Sequence, residues 1–193
     1  MNIIYKEKRE DMNIRYFDNS ATTQIKEEVL KEMFSYLSVQ YGNPSSIYSI
    51  GRNAKKAIEE ARKRVASLIN CKPEEIYFTS CGSESDNTAL KGIAYANKNK
   101  GKHIITSKIE HPAILNSCQN LEKKGFDITY LDVDKNGFVN LESLKRSIRK
   151  DTILISIMFA NNEIGTIEPI EEIAKIAHQN NIIFHTDSVQ AAR

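Results

Sequence analysis

Four short segments of the 193-residue chain gather the polar residues best suited to chemistry. In residues 78–87 (FTSCGSESDN), Gly82 permits a tight turn, Ser83 suits a helix N-cap, and Asp86 three residues on gives a capping-box-like spacing. Such a turn entering a helix presents free backbone N–H groups and the positive dipole end to a phosphate. The same residues also describe a well-capped helix, and no Walker or G-x-G-x-x-G pattern is present. In Glu110-His111-Pro112, a histidine set before a proline can stack on a planar ligand or move protons near neutral pH, or it can simply enter a helix with its ring satisfied. Residues 159–165 (FANNEIG) read as a turn, and an asparagine amide there is a neutral donor for a phenolate or carboxylate oxygen. In residues 185–190 (HTDSVQ), Asp187 is costly to bury unless paired or wet, so it either implies a cationic partner or caps the next helix.

A fifth segment, residues 132–143 (DVDKNGFVNLES), matches the first half of a calcium loop through Asp132, Asp134, Asn136 and Gly137. Its twelfth position is Ser143 rather than a bidentate glutamate, and a strand-like DITYL precedes it, so a strand-to-helix turn accounts for it better and no metal is expected. Cys71, Cys81 and Cys118 are odd in number and form no C-x-x-C pair, which argues against a disulfide framework and a structural zinc and suits a reducing cytoplasm.

The elements that must position these segments follow from apolar periodicity. Helical stripes run through Val29, Leu30, Met33, Phe34, Leu37 and through Ala54, Ile58, Ala61, Val65, Leu68. After Pro73 short apolar runs alternate with amphipathic stretches: strands are expected at 76–79, 103–107, 127–131, 153–159 and 182–187, with helices between, a β-α unit repeated five times. ILISIMF shows no polar alternation, as befits a strand buried on both faces. The fold class is therefore α/β, a doubly wound, mostly parallel sheet with helices on both faces, and in such sheets ligands sit beyond the carboxyl ends of the strands. Four of the five expected strands lead into the polar segments above.

Composition agrees with one domain: 40% of residues are hydrophobic and 27% charged, and 27 Lys plus Arg stand against 25 Asp plus Glu. A net charge of +2, evenly interspersed, gives no footprint for nucleic acid or a membrane surface, and no run of 18 apolar residues occurs. Residues 1–14 are charged and formless, expected to be a poorly ordered extension without the apolar stretch of a signal peptide, and no boundary is expected within 15–193.

A phosphate-ready helix start, a ring-stacking histidine, an amide donor and a strand-end carboxylate together are what pyridoxal 5'-phosphate requires of a protein. From about Tyr16 to Gln190 the chain resembles the front part of a cysteine desulfurase, a class V aminotransferase-like branch of the fold-type I pyridoxal phosphate enzymes. The segments that carry this are YFDNSATT (16–23), YGNPSSIYSIGR (41–52), IYFTSCGSESDNTALKGIA (76–94), HIITSKIEHPAIL (103–115), DTILISIMFANNEIGTI (151–167) and IIFHTDSVQA (182–191). The resemblance implies that Gly82 and Ser83 hold the phosphate and that His111 stacks on the ring and assists proton transfer. It also implies that Asn162 and Gln190 bond the phenolic oxygen and that Asp187 pairs with the pyridine nitrogen.

The implied reaction takes sulfur from L-cysteine, leaving alanine and an enzyme persulfide that serves iron-sulfur scaffold or other acceptor proteins, in a cytoplasmic homodimer. Selenocysteine lyase, aminotransferase, or a non-catalytic half that binds a full-length paralogue are the alternatives. Cys81, Ser83 and Tyr48 depart from the common pattern, where glycine, threonine and histidine are usual. The resemblance covers the front half of a family member. The cofactor-anchoring lysine, the persulfide cysteine and the C-terminal domain are expected beyond Gln190, so that residues 15–193 form a truncated large domain with little activity alone.

Overall fold

The computed structural model of the chain describes residues 15–191; the expectations for residues 1–14 and for the final two residues lie outside them. The described residues form two compact units, divided between Ile58 and Glu59. In the first, α1 (Glu27–Ser38) bears the expected stripe at helical spacing, yet none of its residues is buried, and Leu37 is 71% exposed. Local pairs such as Glu27 with Lys31, 2.7 Å apart, are what the helix shows in their place. Gly42 of the GNPSS loop and Gly51 in the helix that follows stand at close backbone approaches: a Cβ on Gly42 would lie 2.4 Å from the carbonyl oxygen of Ile50, and one on Gly51 2.5 Å from that of Ser46. The second helix, α2 (Ser49–Leu68), buries Ala54 and Ala66 but leaves Leu68 largely exposed.

The second unit is built on a four-stranded parallel sheet, β1 (His103–Ser107), β2 (Asp127–Leu131), β3 (Thr152–Ser156) and β4 (Ile183–His185), in the order β2-β1-β3-β4. Every residue of β1 and β3 is buried, which is why their sequences lack polar alternation. Adjacent β1 residues point to opposite faces. Ile104 joins a core with Leu90 and Ala94 of α3 (Gly82–Asn97) and Ile114 and Leu121 of α4 (Pro112–Glu122). Ile105 joins a second core with Leu144 of α5 (Leu141–Ser147) and Ile173 and Ala177 of α6 (Ile170–Gln179). Helices thus cover both faces, as the doubly wound reading requires.

The expected strand at 76–79 does not form. Ile76 is buried, but Tyr77 and Phe78 are 83% and 52% exposed, and no strand pairs with them among the described residues. The Arg62 guanidinium occupies the segment instead, donating to the Ile76 carbonyl and lying 5.0 Å from the centre of the Phe78 ring. Among the described residues the sheet therefore comprises four strands, joined by three helices, rather than the five strands expected. β3 and β4 are also shorter than expected, although single bonds from Ile157 N to His185 O (3.1 Å) and from Phe159 N to Asp187 O (2.8 Å) carry their pairing onward.

From β1 the chain passes outward through α4 to β2, then crosses by α5 to β3 on the other side of β1. The carboxyl ends of β1 and β3 are therefore adjacent while the helices that follow them pack on opposite faces, which is the topological switch point where this architecture binds ligands. The calcium-like segment is a turn: Asp134 accepts from the amides of Asn136 and Phe138 at 2.8 and 3.0 Å, and Gly137 has φ +88°. Asp132 is paired with Lys108.

Candidate active site

Just beyond β1, His111 is the N-cap of α4, with Pro112 in the first turn. Its Nδ1 accepts from the Ala113 amide at 3.1 Å, which leaves the proton of the neutral ring on Nε2, and the side chain stands exposed at the sheet edge. The helix-entry role and a ligand-facing role are thus both compatible with one geometry.

The start of α3 differs from the expected cap. The N-cap is Cys81, in extended conformation, with no side-chain cap hydrogen bond; Ser83 is the second helical residue and exposed, and Asp86 takes no part in capping. Serine loses the cap because the helix begins at Gly82, two residues earlier than its spacing implies. Glu84 folds back to accept from both the amide and the hydroxyl of Ser80 at 2.6 Å. The first intrahelical bond runs from Ser85 N to Cys81 O, so the amides of Gly82, Ser83 and Glu84 precede it with no capping side chain. A Cβ on Gly82 would stand 3.1 Å from Val189, which sets the turn after β4 directly against this helix start.

That turn carries Asp187, half-buried, whose Oδ1 accepts from Val189 N at 3.0 Å. It is an Asx-type turn rather than a helix cap, and among the described residues no lysine or arginine pairs with Asp187. Facing it is Asp86, only 4% exposed. Burial raises the Asp86 carboxyl to about 6, the Asp187 charge adds to this, and His111 opposes it. His185 completes the corner: Nε2 lies 3.9 Å from Asp86 Oδ1, Nδ1 lies 2.9 Å from Ser156 Oγ, and burial holds the ring below the usual imidazole range.

Asp86 and Gly82 from the start of α3 thus come together with His111 beyond β1 and Asp187 beyond β4. Asn162 is half-buried and Gln190 exposed, each in its expected loop, but neither amide is hydrogen-bonded to another of these residues. The buried asparagine is Asn161, which donates to the Ile109 carbonyl at 2.9 Å and accepts from the amides of Glu163 and Ile164, holding the turn that ends in Gly165 at φ +78°. Reading by residue type gives two carboxyls no buried role: Asp86 is expected as a capping-box partner and Glu110 only as the neighbour of His111. Asp86 has the i, i+4, i+8 spacing to Leu90 and Ala94 that marks the buried face of α3. Glu110, also 4% exposed, left no such signal, since it lies in a loop.

Tested against this corner, pyridoxal phosphate fits. An uncapped helix start with a glycine at its first position suits the phosphate, the unpaired carboxylate beyond β4 suits a protonated ring nitrogen, and the Thr186 hydroxyl is buried with no hydrogen-bond partner among the described residues. Among the described residues no cluster of three or more histidine, cysteine or carboxylate ligands could hold a metal ion, and no helix is long and apolar enough to cross a membrane.

Comparison with known proteins gives the family to which the chain is similar. The family described as aminotransferase class-V matches residues 15–193. The chain is 60% identical over 176 residues to a cysteine desulfurase IscS of Methanosarcina thermophila, covering 91% of this chain and 44% of that protein. It is similar at the same identity and coverage to an IscS of Clostridium botulinum. Among solved structures, a NifS-like protein superposes with a TM-score of 0.88 at 43% identity, over 91% of this chain and 49% of the other. A structure titled SspA in complex with cysteine superposes with a TM-score of 0.89 at 40% identity, over 92% of this chain and 51% of the other. The chain spans about half the length of the relatives it matches.

Proposed function

Because the chain belongs to the class-V aminotransferase family, we propose that it is the cofactor-presenting part of a cysteine desulfurase, which takes sulfur from L-cysteine, leaves alanine and passes the sulfur on as an enzyme persulfide. The observation that carries this reading is the meeting of the uncapped α3 start with the Asp187 turn, one Cβ width apart at Gly82 and Val189. Bound pyridoxal phosphate supplies the electron sink that lets a bond at the α-carbon of an amino acid break.

The residues of the chain do the holding. The Gly82 and Ser83 amides take the phosphate with help from the helix dipole. His111 stacks on the ring and offers Nε2 for proton movement, and Asp187 keeps the ring nitrogen protonated. Asn162 and Gln190 donate to the phenolic oxygen. L-cysteine is the substrate and an iron-sulfur scaffold or other acceptor receives the sulfur, in a cytoplasmic homodimer. Residues 15–193 form part of the large domain, and the cofactor-anchoring lysine and persulfide cysteine belong to the remaining length seen in the relatives.

Titrating pyridoxal phosphate into the chain and following ligand absorbance tests the site. Saturable binding is expected, weakened about tenfold or more in Asp187→Ala and in His111→Ala, where tenfold corresponds to about 1.4 kcal/mol. Equal affinity in the wild type and both variants would remove the reading. Sulfide and alanine release from cysteine tests the activity, and is expected when a polypeptide carrying the rest of the relatives' length is supplied.

A further inference from the structure

We propose that Glu110 is the positioning residue for His111, a carboxyl that ties the end of β1 to the end of β3 across the switch point and so fixes where the imidazole stands. Its Oε1 accepts from two strands' exits at once, the Ser107 hydroxyl at 2.6 Å on the β1 side and the Met158 amide at 3.0 Å on the β3 side. The residue next in sequence is the N-cap His111, and the carbonyl of the residue before it, Ile109, accepts from Asn161 at 2.9 Å. Two bonds from the β3 loop thus bracket the loop that presents the histidine, and Glu110 supplies the acceptor for one of them.

The other oxygen, Oε2, is buried with no partner among the described residues. A carboxyl with one oxygen saturated by donors and the other without any is best accommodated as the neutral acid, with the proton on Oε2. The groups that bear on it do not favour the anion. Asp187 beyond β4 and Glu168 before α6 are carboxyls, and among the described residues no lysine or arginine forms a salt bridge with it. Cys118 on α4 stays a thiol, pushed up to about 12 chiefly by burial. Burial accordingly raises Glu110 to about 7, with the two acidic neighbours adding to it and the Ser107 and Met158 bonds opposing it. Above that pH an anion forms whose Oε1 still accepts from Ser107 and Met158 but whose Oε2 is buried without a donor, so local opening that brings Oε2 to water costs less as pH rises toward about 7.

This inference rests on the coenzyme reading only in giving His111 a ligand to face; the tie itself belongs to the chain without ligand. The experiment therefore begins without pyridoxal phosphate. Amide-exchange protection factors of Met158, with Leu154 as a core control, and the His111 ring signals are followed by NMR as pH rises from about 5 to about 9, in the wild type, Glu110→Gln and Glu110→Ala. In the wild type, Met158 protection is expected to fall as pH rises and to level off near 7, where the 13C signal of the Glu110 carboxyl titrates, while Leu154 stays protected. Glu110→Gln, which cannot ionise, is expected to abolish the fall at Met158; Glu110→Ala is expected to show low Met158 protection throughout and His111 ring signals displaced from those of the wild type at every pH. A pH-independent Met158 in the wild type, a fall at Met158 surviving in Glu110→Gln, or His111 signals unmoved in Glu110→Ala, as a purely structural glutamate would leave them, would overturn the proposal. Pyridoxal phosphate is added last: affinity that declines above pH 7 in the wild type but not in Glu110→Gln extends the proposal to the ligand. Absence of binding with the fall at Met158 intact would refute the coenzyme reading alone.

Discussion

At the fifth position of α3, Asp86 places a carboxyl in the core at 4% exposure with its nearest cationic candidate, His185, 3.9 Å away. Its folded value of about 6 lies above the ordinary 3.8, so the native state holds its proton more tightly than the unfolded chain. Stability from this residue is therefore present in acid, and is lost as pH rises from about 4 through about 6. Asp86→Asn should stabilise the protein relative to wild type above pH 6, by about 1–3 kcal/mol, with the difference shrinking below pH 4. Urea melts of both proteins at a series of pH values check this, and a constant difference across the range would show that the aspartate titrates normally. The corner that makes Asp86 costly also makes it informative, because Asp187 and His111 both act on it.

At the scale of elements, β1 is held from both sides by its first residue. His103 Nδ1 meets the Thr152 hydroxyl of β3 at 2.7 Å and Nε2 meets that of Thr129 of β2 at 2.8 Å, so a neutral ring staples three strands. Burial lowers its affinity for protons, with Arg149 adding to this. The sign is opposite to that of Asp86: the unfolded chain protonates first, and stability is lost as pH falls below 6.5. His103→Gln should lessen that acid-side loss, measured as a flatter stability profile between about pH 6.5 and 4.5. Gly101, just before β1, allows a close crossing, since a Cβ there would lie 2.1 Å from the Asp151 carbonyl oxygen. Gly101→Ala should cost about 1–3 kcal/mol, and Leu154→Ala, at a fully buried β3 position, about 2–5 kcal/mol, both read from denaturant midpoints.

Across the whole molecule, apolar side chains remain on the surface of each unit. In the first, Phe17, Leu37, Tyr41 and Ile47 are 84%, 71%, 75% and 89% exposed; in the second, Leu68 and Tyr77 are 70% and 83% exposed. Single exposed apolar residues are ordinary, but this many large ones are the mark of surfaces that associate. The chain alone is expected to bind a dye such as ANS and to sediment faster than a 21.9 kDa monomer. Monomeric sedimentation without dye binding would show that these side chains are individually hydrated rather than a contiguous surface.

Much of this was legible before any coordinates, and for physical reasons that can be named. The unbroken apolar runs of β1 and β3 announce burial on both faces, and the spacing of α3, α4 and α6 announces one buried stripe each. Together they determine a doubly wound parallel sheet and the edge at which its polar loops gather. Residue types and order also singled out Gly82, His111 and Asp187. Only the tertiary structure decided what depends on partners distant in the chain. IYFT has the composition of a strand, yet its backbone is engaged by Arg62, 14 residues away, instead of by a neighbouring strand. Ser83 has the chemistry of a cap, yet the helix begins before it. Glu110 looks like an ordinary loop glutamate until Met158, 48 residues on, supplies the amide that draws it into the core. Periodicity is a local property and survives in the sequence, whereas the partner of a polar atom is set by where the fold carries the chain.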